Sequence, residues 1–280
     1  MSESVQTKRK SAVPIVGLII LLLGIAVFAA GLIMWKVNGV DQYIKTESFT
    51  IKDQPMDGIN NLEIKVGSAE VVIKKGGDKL EVIGENLPEN EYSYGTTDGK
   101  FYLKRKSYFE FIFPSIVSWL SDKKTDPKLT ITVPDKEYDN IVIAVGAGDA
   151  TVEGLTANNV EIDVGAGAMT ASNFKVKNEL DIDVGTGESK FENFDANKVD
   201  LDTGVGELTY SGTVYGKLEA DCGIGQVNIT IYGLSSDYDI DAESGIGGVN
   251  VTRNSAGHGD IPVEINGGIG EVNLVFAEKK

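Results

Sequence analysis

Cysteine and histidine are almost missing from this 280-residue chain, which holds one of each. A single cysteine, Cys222, excludes an intrachain disulfide, and its place on an apolar column reads as a packed thiol. A single histidine, His258, lies in the glycine-rich loop Asn254–Asp260 with no second metal ligand at zinc-site spacing. A triad of His258, Asp260 and a serine would have to be assembled by the fold, and a histidine in a loop argues for an incidental one. Basic residues are also scarce, 26 against 42 acidic, giving a formal charge of −16. Such a surface argues against nucleic acid and anionic polymers as partners. Past Ile141 there is one arginine, Arg253. A polysaccharide-processing cleft would need acids together with Arg or Lys, so the pattern reads as non-enzymatic.

Long apolar runs are equally few. Val13–Trp35 is 23 residues without a charge, roughly 34 Å as a helix, which is enough to cross a bilayer core. It is too long for the apolar region of a cleaved signal peptide. Lys8, Arg9 and Lys10 precede it, so the positive-inside rule puts 1–12 in the cytoplasm and the chain beyond Lys36 outside. The expected organisation is a basic tail (1–12), a signal-anchor helix (13–35), a stalk (36–48), irregular β coils (49–140) and regular repeats (141–280). The expected localisation is the cell membrane, single-pass. Gly17, Gly24 and Gly31 fall seven apart on one helix face, a spacing that suits either a packing seam or ordinary glycine usage in a span.

What the chain has in abundance is glycine, 33 residues, and it is ordered. One phrase, apolar-acid-apolar-acid-apolar-Gly-x-Gly, recurs from Ile141 to Phe276. Its clearest copies are VEIDVGAG at Val160, LDIDVGTG at Leu180 and VDLDTGVG at Val199. The first glycines are Gly146, Gly165, Gly185, Gly204, Gly223, Gly245 and Gly268, spaced 19, 20, 19, 19, 22 and 23 residues apart. Alternation with period 2 inside each phrase is the strand period. A repeat near 20 residues built of strands is a solenoid, in which each coil buries its apolar face only against the next. The expected fold is all-β, a parallel β-helix with coils of about 19–23 residues, right-handed by the general crossover preference. A dinucleotide loop would need a third glycine and a following helix, and neither is present.

Gly-x-Gly reads as the bend between two strands of a coil, with a second corner at Gly154-Leu155, Asn173-Phe174 and Asn193-Phe194, where Gly or Asn tolerates left-handed geometry. Ile143, Ile162, Ile182, Leu201, Ala220, Ala242 and Ile265 form the central inward column. A third column, Val145, Val164, Val184, Thr203, Cys222, Ser244 and Gly267, shrinks toward the C-terminus, so the coil should loosen there. Val227 and Ile229, Val249 and Val251, and Val272 and Leu274 should point inward from the second strand. Leu62–Gly67 with Ala69–Lys74 reads as a degraded first coil. Leu80–Gly84, Tyr92–Thr96, Lys100–Lys104 and Leu129–Val133 read as further strands. The segment 107–121 is strongly apolar and too short to span a membrane. It suits a cap over the open end, or a surface-seeking partner contact through Phe109, Phe111, Phe113 and Trp119.

The outward positions carry the least ordinary chemistry. One column is Val142, Glu161, Asp181, Asp200, Glu219, Asp241 and Glu264. The next is Ala144, Asp163, Asp183, Asp202, Asp221, Glu243 and Asn266. Stacking puts equivalent residues about 4.8 Å apart, where like charges repel by about 1 kcal/mol per pair even when fully screened. The array is either a solvated face that discourages aggregation or a strip for a cation. In the second case Asp163, Asp183, Asp202 and Asp221 would hold weak Ca²⁺. The ladder is too flat for a closed cage, and no cofactor is expected otherwise. Asn228, Asn250 and Asn273 should align as a stacked amide ladder.

The repeated V-G-x-G phrases with alternating acids, and the strand LTITVP at Leu129–Pro134 before the regular coils, resemble the bacterial putative adhesin family, which includes LiaG-like envelope proteins. The resemblance covers Phe49 to Phe276. It implies a right-handed β-helix and a membrane-anchored surface-binding protein whose partner is an unidentified protein or surface ligand. An alternative it implies is an accessory or sensor domain of an envelope-stress system. It implies no catalytic residue.

Overall fold

The computed structural model describes Gly31 and residues 47–106, 126–243 and 245–279. The chain divides into two units, Met1–Ile44 with Phe109–Lys124, and Lys45–Tyr108 with Thr125–Lys280. Apart from Gly31, the expected anchor 13–35 lies outside the described residues, as does the apolar insertion 107–121 with Phe109, Phe111, Phe113 and Trp119. Among the described residues no helix is long and apolar enough to cross a membrane.

The second unit is all-β and consistent with a β-solenoid. Its strands are β1 (Phe49–Gln54), β2 (Asn61–Ser68), β3 (Glu70–Lys75), β4 (Leu80–Glu85), β5 (Tyr92–Thr97), β6 (Lys100–Arg105), β7 (Lys128–Val133), β8 (Glu137–Glu153), β9 (Thr156–Ser172), β10 (Lys175–Tyr232), β11 (Tyr238–Glu243), β12 (Ile246–Thr252) and β13 (Ile261–Ala277). The four strands expected between Leu80 and Val133 are β4, β5, β6 and β7. The regular repeats stack in parallel with the phrases in register. Ile143 lies beside Ile162, and Ile182 beside Ile162. β10 is 58 residues of continuous extended chain because it winds through three successive phrases.

Alternation explains the core. Ile143, Ile162, Ile182, Leu201, Ala220 and Ile265 are all buried, as are the flanking Ile141, Val160, Leu180, Val199, Leu218 and Val263. The inward phase slips at Gly-x-Gly, so that Val145 is followed inward by Ala150 and Val152. An odd step keeps the interior on the same side only if the chain bends there, which makes the phrase a corner. Pairing nevertheless runs on through it, from Val145–Val164 to Ala147–Ala166. At Gly206 φ is +144°, and a Cβ would collide with the carbonyl oxygen of Gly187 in the next coil. Glycine is thus required both by conformation and by the close approach of stacked backbones. The second corner also forms as expected, with Gly154, Asn173 and Asn193 at φ of +72°, +61° and +59°. It introduces inward residues beyond the two strands read from the phrase. Among them Phe174 and Phe194 stack at 4.7 Å, and Phe191 meets Phe194 edge-on at 5.9 Å.

The order of coils departs from the order of the sequence. β13 pairs with the Leu218–Tyr232 part of β10 on one side and with β11 and β12 on the other. The last phrase, at Val263, is therefore inserted between those at Leu218 and Ile240, and the sixth repeat ends the stack. The connection into β11 and the connection from β12 to β13 must pass each other. The two crossing connections are tied where Ser235 N donates to Asn254 Oδ1 (2.9 Å), Ser236 N to Ser255 Oγ (2.8 Å) and Asn254 Nδ2 to the carbonyl of Gly233 (2.9 Å). The longer spacings of the last two repeats supply the extra residues.

At the other end β2 and β3 stack in parallel on β8, the expected first coil. β6 stacks on β2 and β7 on β3, forming one further coil. In sequence the segment 106–126, which contains the apolar insertion, separates β6 from β7, where Gly-x-Gly separates the two strands of the regular coils. β5 then covers β6, and β4 and β1 extend β7, all antiparallel. This end is closed, with Phe49, Leu80, Val82, Phe101 and Leu103 buried.

Candidate functional site

The outward columns form one acidic face, and register fixes who neighbours whom. Asp181 lies beside Glu161 and Asp183 beside Asp163. Stacking of Gly204 on Gly185 and of Gly223 on Gly204 continues the rows through Asp200, Asp202, Glu219 and Asp221. All four residues read as a cation strip, Asp163, Asp183, Asp202 and Asp221, are thus brought together. Beyond Asp221 the sequence order fails. Asn266 follows Asp221, and Glu243 lies outside Asn266. Asn266 Nδ2 donates to Asp221 Oδ1 at 2.7 Å, so an amide closes the strip where a carboxylate was expected. Lys217 bridges the adjacent row, 3.0 Å from Glu219 and 2.9 Å from Glu264.

Between these points the carboxylates face mainly one another. Partial burial pushes the Asp181 carboxyl up to about 6, and the negative charges of Asp183, Asp200, Glu161 and Asp202 add to the shift. Asp163, Asp200 and Asp202 are raised for the same reasons, burial first. For Asp202 the neighbouring Asp183, Asp200 and Asp221 carboxylates add to it. Among the described residues no cluster of three or more His, Cys, Asp or Glu side chains converges as a metal site. The arrangement is a repulsive row that takes up protons and attracts cationic groups.

The first coil reverses this electrostatics. Glu63 occupies the same outward row but is almost buried, with Lys100 at 2.7 Å, Lys104 at 2.8 Å and Lys65 at 3.7 Å. Burial alone would raise its carboxyl, but hydrogen bonds and charge from Lys100 and Lys104 prevail and hold it at about 2.

A groove of about 610 Å³ runs beside Asp183, Asp202 and Asp221, along Val184, Thr203, Cys222 and Gly267. It marks the place where the third inward column shrinks. Burial raises the Cys222 thiol to about 11, with Asp221 and Asp202 adding to it, so it stays protonated and is a poor nucleophile. His258 is exposed and lies 3.4 Å from Asp239. The amide ladder expected on the second strand forms in the swapped order, Asn273 donating to Asn228 (3.1 Å) and Asn250 to Asn273 (3.0 Å).

Two surfaces escaped the sequence reading. The middle residue of Gly-x-Gly forms an exposed column that changes from Ala147 and Ala166 through Thr186 and Val205 to Ile224, Ile269 and Ile246. The result is an aliphatic ridge that ends at Ile246, 74% exposed. It was legible had the middle letters been read in order. The second surface is the free side of β11 and β12. Its signal was the longer spacing of the last two repeats, but spacing alone does not say which coil ends the stack.

A family model described as Toastrack DUF4097 matches residues 59–279. Among solved structures, the chain is similar to a putative cell adhesion protein from Clostridium sporogenes, with 17% identity and a TM-score of 0.36 over 83% of this chain and 100% of that one. It is likewise similar to a putative adhesin from Bacteroides fragilis, with 16% identity and a TM-score of 0.44 over 82% of this chain and 97% of that one. No curated protein matches it.

Proposed function

The chain belongs to the Toastrack family, and on that premise we propose that it is a non-enzymatic, membrane-anchored surface protein. In this reading one N-terminal span carries a right-handed solenoid outside the cell, and the solenoid binds a surface ligand or protein in the manner of an adhesin. The observation that carries this reading is where the chain leaves the described strands. Asn86 ties both borders: its backbone N donates to Ser48 Oγ at 3.3 Å, at the end of the stalk, and its Nδ2 donates to the carbonyl of Asp126 at 3.2 Å, just after the insertion in sequence. Glu47 and Lys106 line one depression of about 480 Å³ with Glu89, Asn90, Tyr92 and Tyr94. Ser48, Lys106 and Asp126, the described residues that border the stalk and the insertion, thus all lie at the closed end. An anchor preceding the stalk would therefore be joined to the solenoid through the closed end, not through the last coil. The uncharged run Val13–Trp35 after Lys8, Arg9 and Lys10 supports the orientation. Protease added to intact cells or wall-less protoplasts should remove the acidic unit, followed with an antibody to its C-terminus. Full protection of that unit until the membrane is broken would defeat the proposal.

A further inference from the structure

We propose that the free side of β11 and β12 accepts an extended segment of another protein, alternating apolar and basic residues, as an added strand. The inference rests on the binding role proposed above and names the surface and the partner chemistry.

Three observations converge on it. First, among the described residues β11 and β12 each pair only with β13, so one side of each keeps unpaired backbone donors and acceptors. Such an edge is a template for another strand. Second, the core is open there. Ile240, Ala242, Val249 and Val251 are only partly buried, whereas their register mates one coil inward, Val263, Ile265, Val272 and Leu274, are at most 2% exposed. An added strand with apolar residues at alternate positions would cover them. Third, the outward flank of β11 is Asp239, Asp241 and Glu243, all exposed. Asp241 and Glu243 make no ion pair among the described residues, and Asp239 has only His258 at 3.4 Å. Basic residues at the intervening positions of the guest would lie opposite these acids, and such cross-strand pairs are favourable. A second copy of this chain is the weaker occupant. Antiparallel pairing of β11 with itself would set two acidic rows against each other, in a chain of formal charge −16.

The test uses the full-length protein in detergent micelles and labelled short peptides read by fluorescence anisotropy. The first peptide alternates lysine and valine. The second alternates glutamate and valine. The third keeps the lysines but replaces alternate valines with proline, which retains the charge and cannot add as a strand. The lysine–valine peptide should bind about tenfold more tightly than either of the others. Asp241→Lys with Glu243→Lys, both at exposed positions, should reverse the preference between lysine and glutamate peptides. Asp181→Asn, on the acidic face, should leave it unchanged. Equal binding of the proline peptide would mean attraction to the acidic rows at large and would overturn the proposal, as would no binding at all. A concentration-dependent dimer in sedimentation, abolished by the Asp241 and Glu243 substitutions, would give the edge to a second copy instead. None of these outcomes bears on the protease test of topology, so the two readings fail separately.

Discussion

The two ends of the stack solve the same problem in opposite ways. A coil buries its apolar side chains only against a neighbour, so each terminal coil needs a cover. At the closed end three antiparallel strands supply it, and the one buried acid of the outward row, Glu63, is held by three lysines. At the other end the last-placed coil, β11 and β12, has no strand over it among the described residues, half-buried core residues, and acids without lysines. The lesson is that covering and charge pairing go together. The end that is finished structurally is also finished electrostatically, and the end left open carries unpaired charge that discourages self-association while leaving a site for a cationic strand.

The largest expected effect that separates the ends comes from placing a charge in the apolar columns. Ile182→Asp, in mid-stack, should lower stability by about 4 kcal/mol, because it buries a carboxylate without a partner. Ile240→Asp, in the open coil, should cost about 1 kcal/mol, since water already reaches it. Urea unfolding midpoints of the two variants measure the difference, and equal losses would mean that the last coil is as well covered as the middle. Asp183→Asn, one residue from Ile182, should be neutral or slightly stabilising because it relieves repulsion along the row.

Next in size is the lysine clamp. Glu63→Gln should cost about 2 kcal/mol, since it leaves three ammonium groups around a neutral amide. The pH dependence carries the sign of the comparison. The Glu63 carboxyl, held at about 2 against an ordinary 4.5, contributes stability that is full above pH 4.5 and fades as pH falls toward 2. Asp181, raised to about 6 from 3.8, acts in the opposite sense. Its native state retains a proton that the unfolded chain has lost, so the contribution is full below pH 3.8 and fades as pH rises through 6. Thermal melts should therefore show stability increasing from pH 7 to pH 5, by less than about 1 kcal/mol because the group is largely exposed and screened. Asp181→Asn should flatten that rise. A melting temperature that falls between pH 7 and pH 5 in the parent would contradict the repulsive-row account.

The smallest effect separates a repulsive row from a cation strip. With Asn266 closing the row and no convergent ligand cluster among the described residues, Ca²⁺ and Na⁺ matched for ionic strength should raise the melting temperature equally. A larger rise in Ca²⁺, lost when Asp163, Asp183, Asp202 and Asp221 are neutralised together, would restore the strip.

Much of this was legible in the sequence because a strand repeat writes its inside and outside in alternate letters. The buried columns through Ile143 and Ile182, the glycine corners, the left-handed Asn173 and Asn193 and the outward acids all follow from period 2 and from what Gly and Asn alone tolerate. The order of coils does not. Every copy of the phrase presents the same apolar face, so Val263 fits beside Leu218 as well as Ile240 does. What distinguishes the arrangements lies outside the apolar columns, in the crossing residues Ser235, Asn254 and Ser255 and in Asn266, which meets Asp221 where Glu243 would repel it. The open edge was hidden for the same reason, since nothing within β11 or β12 marks it as the end. The clamp on Glu63 was hidden because Lys100 and Lys104 come from β6, whose place in the stack depends on pairing across a long separation in sequence.

Hydrogen exchange of the full-length protein tests the central claim most directly. β13 is last in the chain but enclosed between coils, whereas β11 and β12 precede it and lie at the edge. The account predicts that amides of Ile261–Ala277 exchange as slowly as those of β9, while Tyr238–Glu243 and Ile246–Thr252 exchange first among the regular coils. Exchange of Ile261–Ala277 together with or ahead of β11 and β12, as for a fraying C-terminus on coils stacked in sequence order, would contradict it.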